Sequence, residues 1–128
     1  MKIDLTYSRR HTSTTHVGGL TIGSEAPIRI QTMANTDTND IEGSVAQAER
    51  CFAAGSELLR YTTQGKREAE SLREIHSRLH SPALLGEGAF PLAADIHFNP
   101  AVADVAAQYV EKVRVNPGNY IDPARKFE

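Results

Sequence analysis

Apolar positions along this chain follow two alternating rhythms. Short β-branched or apolar runs recur at Ile28-Arg29-Ile30-Gln31-Thr32-Met33, at residues 57–63, at Pro91-Leu92-Ala93-Ala94-Asp95-Ile96-His97 and at Lys112-Val113-Arg114-Val115. Each ends in, or is followed within two residues by, polar or charged residues, as a strand is when it delivers side chains to one edge of a sheet. Between these runs the spacing becomes helical. Ile41, Val45, Ala48 and Phe52 recur at i, i+4, i+7 and i+11 ahead of Gly55. Ala69, Leu72, Ile75 and Leu79 keep the same period across residues 66–79, and Val102, Val105, Ala106, Tyr109 and Val110 form a third stripe. Residues 36–40 offer several N-caps for the first helix, and Asn99 with Pro100 is a cap and first turn for the third.

The pattern therefore predicts four strands alternating with three complete helices. Residues 81–90, with Pro82, Gly86 and Gly88, are expected to be a connecting loop, and Asp122-Pro123-Ala124-Arg125 the opening of a further helix. Residues 7–15 and 17–22, broken near Gly18-Gly19, predict a hairpin lead-in that caps one end of the sheet. No role is assigned there to Arg9, Arg10, His11 or His16. Right-handed βα crossovers put all four strand tips on one edge. The fold class is α/β, and four βα units are half of a TIM-type (β/α)8 barrel. The expected division is a lead-in over residues 1–25 and a truncated half-barrel over 26–128. Two unpaired strand edges require the rest of a barrel or a partner to close them.

Composition narrows the function classes. At 128 residues and 14.0 kDa the chain suffices for one domain. A net charge of -2 and a pI near 6.2 give no long-range pull toward nucleic acid or anionic lipid. No window approaches a membrane span and no secretion signal opens the chain, so a cytoplasmic protein is expected. The single cysteine, Cys51, excludes a disulfide framework and, alone, a cysteine-held metal cluster. Beside Phe52 on a helix, it reads as a packed residue.

The strand tips carry the candidate chemistry. Arg60, Asp95, His97, Arg114 and Asn116 should converge there, with Gln31, Asn35, Thr62 and Thr63 nearby. Two guanidinium forks and an imidazole near turn and helix-start N–H groups suit a multiply charged phosphate ester. A structural alternative stands beside this, in which Arg60 and Arg114 only neutralise Asp95. Asp95 itself reads as an orienter of the arginines in preference to a proton carrier, and no catalytic residue is assigned in this segment. His76 and His80, near a helix C-terminus, are expected at the surface, complementing the helix dipole. The residues alone reach an anion-binding βα half-barrel and supply no reaction.

Four motifs in order add a reaction by resemblance. Pro27-Ile28-Arg29-Ile30-Gln31-Thr32-Met33, Asn35-Thr36-Asp37-Thr38, Ala94-Asp95-Ile96-His97-Phe98 and Arg114-Val115-Asn116-Pro117-Gly118-Asn119 resemble signatures of the 4-hydroxy-3-methylbut-2-enyl diphosphate synthase family. The resemblance runs from about Arg9 to Glu128, and residues 120–128 look like the long, three-domain form of Bacteroides-like bacteria and plants. It implies a dihydropteroate-synthase-like barrel that binds 2-C-methyl-D-erythritol 2,4-cyclodiphosphate, with Arg60, His97, Arg114 and Asn116 as substrate-binding residues and Asp95 orienting them.

In the family, electrons from ferredoxin or flavodoxin pass through a 4Fe-4S cluster, the cyclodiphosphate ring opens and water is lost. The family is expected to be homodimeric and to act in non-mevalonate isoprenoid biosynthesis. Its cluster is held by three cysteines and a glutamate in a separate C-terminal domain, and Cys51 matches none of these. The segment is therefore expected to be inactive by itself. Two other readings are a non-catalytic phosphorylated-ligand-binding module and a pterin-binding barrel, the latter on fold analogy alone.

Overall fold

A computed structural model describes residues 8, 10–80, 90–97 and 99–118. The expected loop over 81–89, Phe98 and the helix opening after residue 119 lie outside the described residues. A hairpin comes first, β1 (Thr15–Val17) and β2 (Leu20–Ile22), antiparallel around Gly18 and Gly19. Then follow β3 (Gln31–Met33), α1 (Ile41–Ala53), β4 (Leu58–Thr63), α2 (Lys66–Leu79), β5 (Leu92–Ile96), α3 (Pro100–Ala106) and β6 (Lys112–Val115). Strands β3 to β6 pair in parallel in that order, with Met33 opposite Arg60, Thr62 opposite Asp95 and Asp95 opposite Arg114. This is the α/β half-barrel with a hairpin lead-in that the pattern predicts.

The helices end where the local chemistry dictates. Asp40 caps α1 by accepting from the Gly43 N–H at 3.1 Å, and Gly55 follows its last turn at φ +114°, a conformation costly for any residue with a Cβ. Helix α2 has the expected span, and Ala69, Leu72, Ile75 and Leu79 are all buried. Asn99 caps α3 by accepting from the Ala101 N–H. That helix stops at Ala106, short of the expected stripe. Tight bonds from the Gln108 and Tyr109 N–H groups to Val105 and Ala106 close it, leaving Tyr109 and Val110 half-buried in a turn.

The first barrel strand is also shorter than the pattern suggests. Residues 28–30 are not strand, because the Ile30 N–H donates to Glu57 Oε1 at 3.1 Å instead of entering a ladder. Arg29 bridges this region to the lead-in, donating from Nη1 to Glu57 Oε2 at 3.0 Å and from Nε to the Thr21 carbonyl at 2.9 Å.

Strand alternation sorts side chains to two faces. Leu59, Tyr61, Leu92, Ala94 and Ile96 pack under the three helices in the main core, with Cys51 half-buried against it. Leu58 and Ala93 face the other way and meet Val17, Leu20 and Ile22 of the hairpin. The hairpin thus plugs the concave face and leaves the strand tips open. Each fully buried Leu or Ile contributes about 1.5–3 kcal/mol. Burial pushes the Tyr61 hydroxyl well above its ordinary pKa, and it donates to the Ser44 carbonyl at 2.9 Å, tying β4 to α1. No described helix is long and apolar enough to cross a membrane.

His76 and His80 do not lie freely at the surface as expected. Both are half-buried, stacked with ring centroids 3.8 Å apart, and face Glu111 just ahead of β6. The Leu92 N–H donates to the other Glu111 oxygen at 2.9 Å, so this carboxylate joins α2 to the start of β5. Burial alone would raise the Glu111 pKa. Its bonds from His76 and the Leu92 N–H outweigh burial and hold it below the ordinary value.

Candidate functional site

Period-two alternation places Arg60 and Thr62 of β4, Ala93 and Asp95 of β5, and Lys112 and Arg114 of β6 on the concave face. Asp95 is their centre and is buried. Arg114 Nη1 donates to its Oδ1 at 3.0 Å. On its other oxygen, Oδ2, Arg60 Nε approaches to 3.6 Å and His97 Nε2 to 3.5 Å. Parallel pairing makes this convergence compulsory, since Asp95 is in register with both Thr62 and Arg114.

The 3.6 Å contact of Arg60 is within ion-pair range but too long for a hydrogen bond. Arg60 Nε is in fact a buried donor with no hydrogen-bond partner, while its Nη2 reaches only the soft acceptor Met33 Sδ at 3.3 Å. A buried charged donor that lacks a hydrogen bond costs about 1–3 kcal/mol. The two guanidiniums around Asp95 therefore carry more positive charge than its one carboxylate neutralises.

Asn116 is not brought into this cluster by any described contact. Its Oδ1 accepts from the Gly118 N–H at 2.9 Å within its own turn. Thr63 points to the helix side, where its hydroxyl donates to the Tyr61 carbonyl. The Asn35 side chain pairs with Gln47 of α1. Gln31 and Thr62 do share the concave face.

Sequence reasoning passed over Lys112, whose Nζ donates to Gln31 Oε1 at 3.5 Å, joining β6 to β3 across the curve of the sheet. The signal was present, because Lys112 lies two residues before Arg114 on the same strand face. A polar cavity of about 310 Å³ opens beside the tips, lined by Asp37, Thr38, Thr62 and Glu68 among others. Its two carboxylates repel anions, so the cationic cluster around Asp95 is the better anion seat.

Residues 12–128 match the GcpE TIM-barrel domain family. The chain is 56% identical over 122 residues to the 4-hydroxy-3-methylbut-2-en-1-yl diphosphate synthase (flavodoxin) of Bacteroides fragilis, covering 95% of this chain and 19% of that protein. It is 54% identical to the Bacteroides thetaiotaomicron protein of the same name over 95% of this chain and 19% of that one. A third relative is the chloroplastic 4-hydroxy-3-methylbut-2-en-1-yl diphosphate synthase (ferredoxin) of Arabidopsis thaliana, 47% identical over 94% of this chain and 16% of that protein. The chain thus spans about a fifth of the length of the bacterial relatives it matches.

Proposed function

The chain belongs to the GcpE TIM-barrel family, and on that premise we propose that it forms the diphosphate-gripping half of the substrate barrel of a 4-hydroxy-3-methylbut-2-enyl diphosphate synthase. The substrate on this reading is 2-C-methyl-D-erythritol 2,4-cyclodiphosphate. The observation that carries it is charge count. Two guanidiniums and an imidazole surround one buried carboxylate, and one guanidinium nitrogen is buried without a hydrogen-bond partner. Neutralising Asp95 needs one cation, so the surplus favours a second anion from outside.

In this role Asp95 holds Arg60 and Arg114 in place, and Arg60, Arg114 and His97 contact the phosphate oxygens. Asn116 shapes the turn beside them. Donors fixed before the substrate arrives need little reorganisation as the ring opens and charge redistributes. The same reading keeps residues 1–25 as lead-in and 26–128 as half-barrel, with a cytoplasmic, homodimeric protein and a flavodoxin or ferredoxin as electron donor.

A 4Fe-4S cluster requires several thiolate ligands. Cys51 is the chain's single cysteine and packs against the core, so these residues do not hold such a cluster. Steady-state kinetics of the intact synthase test the diphosphate grip. Arg60→Ala and Arg114→Ala should each raise KM and lower kcat/KM by about 1.5–3 kcal/mol per charged hydrogen bond lost. Near-normal kinetics in both variants would refute the assignment.

A further inference from the structure

We propose that His76, His80 and Glu111 form a binding site for a divalent transition-metal ion of the zinc class, on the helix side of the amino-terminal ends of β5 and β6. The three offer one ligand atom each, all within 4.8 Å of one another. His76 on α2 and His80 at its C-cap stand one helical turn apart, which puts both rings on the same face.

Hydrogen bonds prepare two of the three ligand atoms, those of His80 and Glu111. His80 Nδ1 lies 2.8 Å from the His76 carbonyl oxygen. A carbonyl can only accept, so Nδ1 carries the proton, and in the neutral ring Nε2 is left with its lone pair. That lone pair faces Glu111 Oε1 at 3.4 Å, and His76 Nε2 donates to the same oxygen at 2.6 Å a proton that the ion would displace to solvent. Meanwhile Oε2 is fixed by the Leu92 N–H. A hydrogen bond from the other ring nitrogen, which fixes the tautomer and aims the free nitrogen, is the usual support of a metal-binding histidine.

A tetrahedral ion with bonds of about 2.0–2.1 Å spaces its ligand atoms by about 3.3 Å. The His80–Glu111 pair already has that spacing. The His76–Glu111 pair opens by about 0.7 Å when coordination replaces its hydrogen bond. Two imidazoles and one carboxylate select zinc and its neighbours over magnesium or calcium, and water completes the fourth position. The ion would clip the end of α2 to β5 and β6, away from the Asp95 cluster.

The test uses the intact protein from its natural reading frame, purified anaerobically and treated with a chelator, then titrated with Co2+ and Zn2+. In the difference spectrum against His80→Asn, one equivalent of Co2+ should give visible bands of nitrogen and oxygen coordination without thiolate charge transfer, and Zn2+ should displace it. His80→Asn and Glu111→Gln should each weaken binding at least about tenfold. Glu111→Gln keeps an acceptor for the Leu92 N–H and so preserves the fold. Absence of the bands, bands of thiolate type only, or unchanged affinity in both variants would overturn the site.

Discussion

Asp95 is the residue on which the strand-tip cluster depends. Its carboxylate is buried among Arg60, Arg114 and His97. Asp95→Asn would leave the two guanidiniums facing each other without a counter-charge. We expect it to lower unfolding stability by about 1.5–3 kcal/mol, with inorganic pyrophosphate restoring part of the loss. Thermal unfolding with and without pyrophosphate checks this, and an unchanged midpoint would contradict it. Most of this cluster was legible in sequence, because period-two alternation fixes which residues of β4, β5 and β6 share a face. The turn bond of Asn116 was not, since which partner a carboxamide takes depends on a nearby N–H, here that of Gly118. Nor was the contact of Glu111 with His76, which pairs residues 35 apart in sequence.

At the scale of elements, the helices were the most legible part. Their stripes, caps and stop glycine act locally, and α2 has its expected span. Strand β3 fell short because Glu57, remote in sequence, takes the Ile30 N–H. The joint between α1 and β4 makes two predictions. Tyr61→Phe removes the donor to the Ser44 carbonyl and should cost about 0.5–1.5 kcal/mol in denaturant unfolding. The raised Tyr61 pKa gives the sign of an alkaline effect. Stability from the neutral phenol is complete below the unfolded-state value of about 10 and declines as pH rises above it. Tyr61→Phe should flatten that decline. Asp40→Ala, which removes the cap on α1, should cost about 1 kcal/mol and leave the substrate KM unchanged.

At the scale of the whole molecule, the sheet has two open edges among the described residues. Among the described residues β3 and β6 each pair with one neighbour only. Ile28, Ile30 and Met33 are exposed on and beside the β3 edge. Open edges with apolar surface associate. The 128-residue polypeptide expressed alone should therefore self-associate, whereas a monodisperse monomer in sedimentation at high concentration would show that the half-barrel protects its own edges.

The grip on a diphosphate is the centre of the account, and equilibrium binding tests it most directly. Intact synthase would be titrated calorimetrically with 2-C-methyl-D-erythritol 2,4-cyclodiphosphate, wild type beside Arg60→Ala and Arg114→Ala. The account predicts that each variant binds about ten- to a hundredfold more weakly, the equivalent of one charged hydrogen bond. Affinities within twofold of wild type in both variants would contradict it.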